Sequence, residues 1–221
     1  MKKLFFCTLT LLVISSLRAQ DPDLWMGVHA TLTRSSFRGN QTIAKFHQAR
    51  NLYAFGMDFH FRKSKSWGLI SGFEYERRGS KTEVELTDVD GNSLGPHKFR
   101  SNVDYLNIPL LVSFRILDKK VAMTGAMGTY MGILLQATSF VPSPSNVFIT
   151  IRQNEYKNYG KIDAGLASAF LLDVPVKETL VATFAIRDYF GLTTSDKSSE
   201  YGSNQMKTNS LGFQFGMMKR L

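Results

Sequence analysis

The residues with the most chemical potential are four histidines, His29, His47, His60 and His97, and the acids near them. His60 follows Asp58 by two residues, so in an extended chain the two side chains share one face, and the carboxylate could orient the imidazole for acid–base work. A hydrolytic site would also need a nucleophile within hydrogen-bond reach of that pair. No such motif is recognisable, and the pair reads as part of a buried polar cluster. His47 and His97 fall in long connections and read as solvated. Asp88-Val89-Asp90-Gly91-Asn92 carries the close carboxylates and glycine turn of a calcium loop, but its distal glutamate is missing. Flanked by the alternating Lys81 to Leu86 and by Lys98-Phe99-Arg100, it reads as a hairpin tip with Asp90-Gly91 in the turn. Gly125, Gly128 and Gly132 lack the strand-to-helix context of a phosphate loop and read as close-packing positions in a strand. The expectation is a non-enzymatic chain with no catalytic, cofactor-binding or metal site.

Composition limits what must position these groups. The 221 residues are 43% hydrophobic, 12% aromatic and 20% charged, a globular composition. No apolar run reaches the roughly 18 residues of a membrane helix, a limit that leaves membrane β-barrels untouched. Lys2 and Lys3, the apolar stretch Leu4 to Ile14 and the small residues before Gln20 form a secretory signal peptide over residues 1–19. The stretch is short for an anchoring helix. Cys7, the only cysteine, lies inside it rather than after it, which argues against a lipid anchor there. Removal of Lys2, Lys3 and Arg18 lowers the formal charge from +9 to about +6 and leaves a cysteine-free chain suited to an oxidising compartment. The basic residues form no stripe or known motif, so a nucleic-acid partner is not expected.

Period 2 dominates residues 20–221. Tyr53, Phe55, Met57, Phe59 and Phe61 alternate with small or polar residues, as do Leu106, Ile108, Leu110, Val112, Phe114 and Ile116. Trp67, Leu69, Phe73 and Tyr75 repeat the pattern, and so do Leu211, Phe213, Phe215 and Met217. With Leu24 to Thr33, Val121 to Gln136, Tyr159 to Leu172 and Thr179 to Phe190 there are eight strands. Each is long enough for the 9–11 or so residues of a tilted transmembrane strand. The connections alternate strictly between long and short, the mark of an eight-stranded antiparallel up-and-down transmembrane β-barrel with short periplasmic turns and long extracellular loops. Both chain ends then lie on the periplasmic side.

The polar face must line such a barrel. It gathers Asp58, His60, Arg62, Glu74, Glu76, Arg115, Lys161, Asp163 and Arg187, with His29, Asn107, Gln136 and Gln214. An eight-stranded interior is just wide enough for side chains to fill, so these charges are expected to pair into a plug. Glycines on the same face, among them Gly27, Gly56, Gly72, Gly132 and Gly212, make room for them. A soluble lipocalin-like carrier of a small apolar ligand is the alternative, with the faces inverted. The regular alternation of connection lengths favours the membrane arrangement.

Tyr105-Leu106-Asn107-Ile108-Pro109-Leu110-Leu111, followed by Gly128-Thr129-Tyr130-Met131-Gly132-Ile133-Leu134-Leu135, resembles the PorT-like outer-membrane β-barrel proteins. Their members often carry a Y-L-x-I-P-L-L strand and then a G-x-Y-x-G-x-L-L strand. The likeness extends loosely over residues 20–221 and is specific in this central hairpin. Pro109 cannot donate to a ladder, and the family resemblance implies a bulge there. The chain ends Met217-Met218-Lys219-Arg220-Leu221 rather than on the aromatic residue of many barrels. The resemblance implies outer-membrane lipids as surroundings and envelope or secretion-system proteins as partners, reached through the long loops.

Overall fold

The computed structural model describes residues 23–39, 47–63, 66–87, 90–143, 146–195 and 206–221. The signal-peptide reading of residues 1–19 lies outside them, as do Asp88 and Val89. Among the described residues nine strands follow one another: β1 (Asp23–Arg38), β2 (Gln48–Arg62), β3 (Trp67–Thr87), β4 (Ser93–Asp118), β5 (Ala122–Ser143), β6 (Asn146–Asn154), β7 (Ile162–Lys177), β8 (Leu180–Gly191) and β9 (Lys207–Arg220). Eight of them form a closed antiparallel ring. β4 pairs with β5, β5 with β7, and β9 returns to β1 from Trp25 opposite Arg220 to Arg38 opposite Lys207. β6 stands outside the ring, hydrogen-bonded to the upper part of β5.

Alternation places the two faces as the sequence suggests. Val28, Leu32, Phe55, Phe73, Leu110, Phe114, Met127, Phe170, Phe184, Phe213 and Phe215 are exposed on the outer wall, while the residues between them are buried inside. The outward apolar run ends on a polar residue at the end opposite the chain termini: Arg34 on β1, Asn51 on β2, Arg77 on β3, Asp104 on β4 and Asn209 on β9. Between these residues and the short turns lies an apolar belt tall enough to cross a bilayer core. Asp188 on β8, facing Ser168 of β7, interrupts it. The faces therefore exclude the soluble carrier, whose apolar side chains would line a cavity.

The extracellular connections differ from simple loops. β3 and β4 run on past the belt as a paired hairpin, from Arg77 opposite Asp104 to Thr87 opposite Ser93, with Gly91 at φ 84° near its tip. β5 likewise extends and folds back on β6, a strand hidden in sequence by the prolines Pro142 and Pro144. At Pro109 the register is unchanged on either side, Ser71 opposite Leu110 and Glu74 opposite Asn107, so there is no bulge. Instead the Ser71 hydroxyl donates to the Pro109 carbonyl at 2.9 Å, and Gly72 is the residue opposite the ring.

Candidate functional site: a sealed interior beneath an open mouth

Two arginines organise the barrel interior, and both are almost fully buried. Arg78, on the inward face of β3 two residues after Glu76, donates through Nε to Glu76 Oε2 at 2.7 Å and through Nη1 to Asp163 Oδ2 at 2.6 Å. Nη1 also reaches Thr208 Oγ1 at 2.8 Å and Tyr130 OH at 3.2 Å. The rings of Tyr105, Tyr130 and Tyr189 stand 5.3, 5.1 and 5.4 Å from its Cζ, close enough for cation–π attraction. Asp163 accepts further bonds from Tyr130, Thr193 and Thr208, each at 2.8 Å. Glu76 accepts from Asn107 at 2.6 Å and from Ser210. β3, β4, β5, β7 and β9 are thus tied together across the lumen.

The second cluster lies nearer the periplasmic end. Arg187 of β8 donates to Asp58 Oδ2 of β2 at 2.9 Å and stands 3.7 Å from Glu74 Oε2. Gln214 Nε2 donates to Asp58 at 3.2 Å. His29 sits between the acids, 3.6 Å from Asp58 and 3.7 Å from Glu74. His60 is buried beside them. Thr31 Oγ1 is 3.4 Å from His29 Nδ1, so a hydroxyl, an imidazole and a carboxylate do meet, but all three are buried where no substrate has access. Below, Arg62 binds Asp173 at 3.0 Å and covers the Trp25 ring at 4.8 Å.

Seven of the nine residues expected in the plug, Asp58, His60, Arg62, Glu74, Glu76, Asp163 and Arg187, line this interior. Lys161 does not: β7 begins at Ile162, and Lys161 is exposed just before it. Arg115 stands at the periplasmic rim of the interior: it keeps the inward phase opposite buried Thr124, borders one groove with Arg62 and Asp173, and pairs with half-exposed Asp118 at 2.9 Å. Gln136 is also outside, because the shift at Asp104/Tyr105 inserts Leu135 and flips the phase. Arg78 was missed, although period 2 from Glu74 and Glu76 points to it.

Gly132 shows how tightly the space is used. A Cβ there would lie 2.8 Å from Asn107 Oδ1 and 3.4 Å from Tyr105 Cδ1. Gly132→Val should therefore destabilise the barrel by about 1–3 kcal/mol through overpacking, read as a lower denaturant midpoint. An unchanged midpoint would show that the interior yields there.

Above Arg78 an apolar layer of Phe37, Val103, Tyr105, Leu134, Tyr159 and Met206 roofs the network. Over it opens a mouth of ≈ 540 Å³ bordered by Ser80, Phe99, Ser101, Glu155 and Tyr159. His47 faces this mouth, bonded to Ser80 Oγ at 2.7 Å and edge-on to Phe37 at 5.6 Å. It is not the solvated loop residue the sequence suggests. With interior and roof both filled, the protein in planar bilayers should show no stable conductance steps. Regular ohmic steps would mean that the lumen opens.

An antiparallel ring of eight strands, apolar towards its surroundings and ion-paired within, defines an integral outer-membrane barrel. The chain belongs to the outer membrane protein β-barrel domain family, whose model matches residues 19–197. Solved structures similar to it include the outer membrane protein OprG of Pseudomonas aeruginosa, at 14% identity and TM-score 0.47 over 90% of this chain and 96% of that one. Others are Ail of Yersinia pestis, at 12% identity and TM-score 0.43 over 89% and 99%, and Outer Membrane Protein W of E. coli, at 11% identity and TM-score 0.43 over 92% and 100%. A comparison with curated proteins found no match.

Proposed function

We propose that this barrel is a non-enzymatic membrane-embedded platform that presents its extracellular hairpins to another envelope protein. The observation carrying this reading is the contrast between the two ends of β3 and β4. Their lower halves surround a lumen blocked by Arg78 and Arg187, while their upper halves continue as a paired hairpin well beyond the apolar belt. A filled lumen leaves the hairpins, rather than a channel, as the surface available for work. The likeness of Tyr105 to Leu111 to the PorT-like proteins supports an accessory role in protein secretion.

The test replaces Thr82–Phe99 with a two-residue turn and keeps the belt intact. Heat-modifiable gel mobility should persist, since the plug and ring are untouched. Export of secreted cargo by the producing strain should fall if the hairpin engages a secretion component. Normal export by cells carrying the folded, shortened barrel would refute the secretion role.

A further inference from the structure

The outer wall of β1 to β4 carries an unbalanced cluster of cations immediately above the apolar belt. Arg34, Lys81 and Arg100 are exposed, and their inward neighbours Ser35 and Ser80 are buried at 0% and 1% exposure, so the cationic side chains point away from the lumen. Arg50 joins them at a register shift in β2. Its Nη1 donates to Asn102 Oδ1 at 2.6 Å across Gly79, the side-chain-free residue opposite Asn102. The charges acting most on Arg50 are those of Arg100 and Arg77, both of its own sign.

Two shallow grooves meet at Arg50. One, of ≈ 600 Å³, is bordered by Arg34, Arg50, Asn51 and Lys81. The other, of ≈ 620 Å³, runs past Arg50, Lys98, Arg100 and Asn102 to Phe140. Among the described residues no carboxylate borders either groove. Two nearby cations outside the cluster are already occupied. Arg77 is held by Asp104 at 2.7 and 2.8 Å, and Arg38 lies over the Phe190 ring with its guanidinium on the Gly191 carbonyl. Among the described residues, Arg34, Arg50, Lys81 and Arg100 have no acidic partner. Like charges held this close call for an anion.

We propose that this surface binds the phosphate groups of an outer-leaflet lipid headgroup. Charge alone would suit any polyanion, but the position selects a lipid. Directly below the cations lie Leu32, Tyr53, Phe55 and Tyr75, all on the outer wall, with the Tyr75 and Phe55 rings stacked at 4.9 Å. A phosphorylated glycolipid places its phosphates at the height of the arginines and its acyl chains along that aromatic strip. A soluble glycan would gain nothing from the strip. Aromatic side chains under cationic ones at a membrane boundary suit this division of contacts.

The test uses the full barrel in phosphatidylcholine nanodiscs doped with diphosphoryl lipid A, and measures lipid retained after purification by native mass spectrometry. Arg34→Gln/Lys81→Gln should reduce retention about tenfold, and dephosphorylated lipid A should bind the parent no better than it binds the double variant. Both side chains are exposed, so folding should survive, as a heat-dependent gel shift will show. If the double variant does not fold, Lys81→Gln alone should still give a severalfold loss. Equal retention by parent and variant overturns the site. Heparin binding to barrels in pure phosphatidylcholine as tightly as lipid A binds would overturn the lipid assignment in favour of a soluble polyanion.

Discussion

Arg78→Met should cost about 3–5 kcal/mol, the usual penalty for removing one partner of a buried ion pair. The loss arises less from the missing attraction than from what stays behind. Glu76 and Asp163 would face each other across the lumen with their shared cation gone, beneath an apolar roof that admits little water. Among the described residues Asp163 keeps Tyr130, Thr193 and Thr208 as donors, whereas Glu76 keeps Asn107 and Ser210. Adding Glu76→Gln to Arg78→Met should therefore recover part of the loss, a coupling that a double-mutant cycle resolves. Arg115→Ala is the contrasting case. Its ion pair with half-exposed Asp118 should be worth no more than about 1 kcal/mol. Urea titrations in vesicles, followed by gel mobility, measure all three, and similar losses for Arg78→Met and Arg115→Ala would contradict the plug.

Met57→Arg should destabilise the inserted barrel by about 2–4 kcal/mol. Met57 lies midway along the outward series from Tyr53 to Phe61 on β2, exposed on the outer wall, where a guanidinium has no water and no partner. The effect depends on depth, so Asn51→Arg, six residues up the same face where the belt ends, should change stability by less than about 1 kcal/mol. The pair is measured by reversible folding into lipid vesicles. Equal losses at both sites would show that the belt is not where the exposure pattern puts it.

The barrel was legible because its physics repeats: inward and outward residues alternate on every strand, and short turns alternate with long connections. Legibility failed where the period slipped. The extra residue Leu135 reverses the phase and carries Gln136 outside. The strand boundary at Ile162 leaves Lys161 without a face, and the end of β4 leaves Arg115 at the periplasmic rim with Asp118 as its partner. Arg78 was hidden for a different reason. The alternation of apolar and polar residues stops at Glu76, where the outer face gives way to Arg77, although the inner face continues unbroken through Arg78 and Ser80. Inner and outer faces of one strand end at different heights, and a pattern read from the outer face alone ends too soon. Hairpin pairings such as Phe140 with Arg152 carry weak alternation, which is why β6 was read as loop.

The seam between β1 and β9 sets the order in which this molecule can assemble. Trp25 must meet Arg220, and Arg38 must meet Lys207, at opposite ends of the described chain. These are the contacts of greatest sequence separation and the last that a growing chain can make. Until they form, β1 and β9 each present an open edge that any other chain can extend. The interior cannot settle earlier, since Thr208 and Ser210 on β9 supply bonds to Asp163 and Glu76. Closure and neutralisation of the lumen are therefore one cooperative event. A polypeptide stalled before residue 207 would be a sticky open sheet with charges turned towards its hollow side, and it would need shielding by other proteins until the final strand arrives.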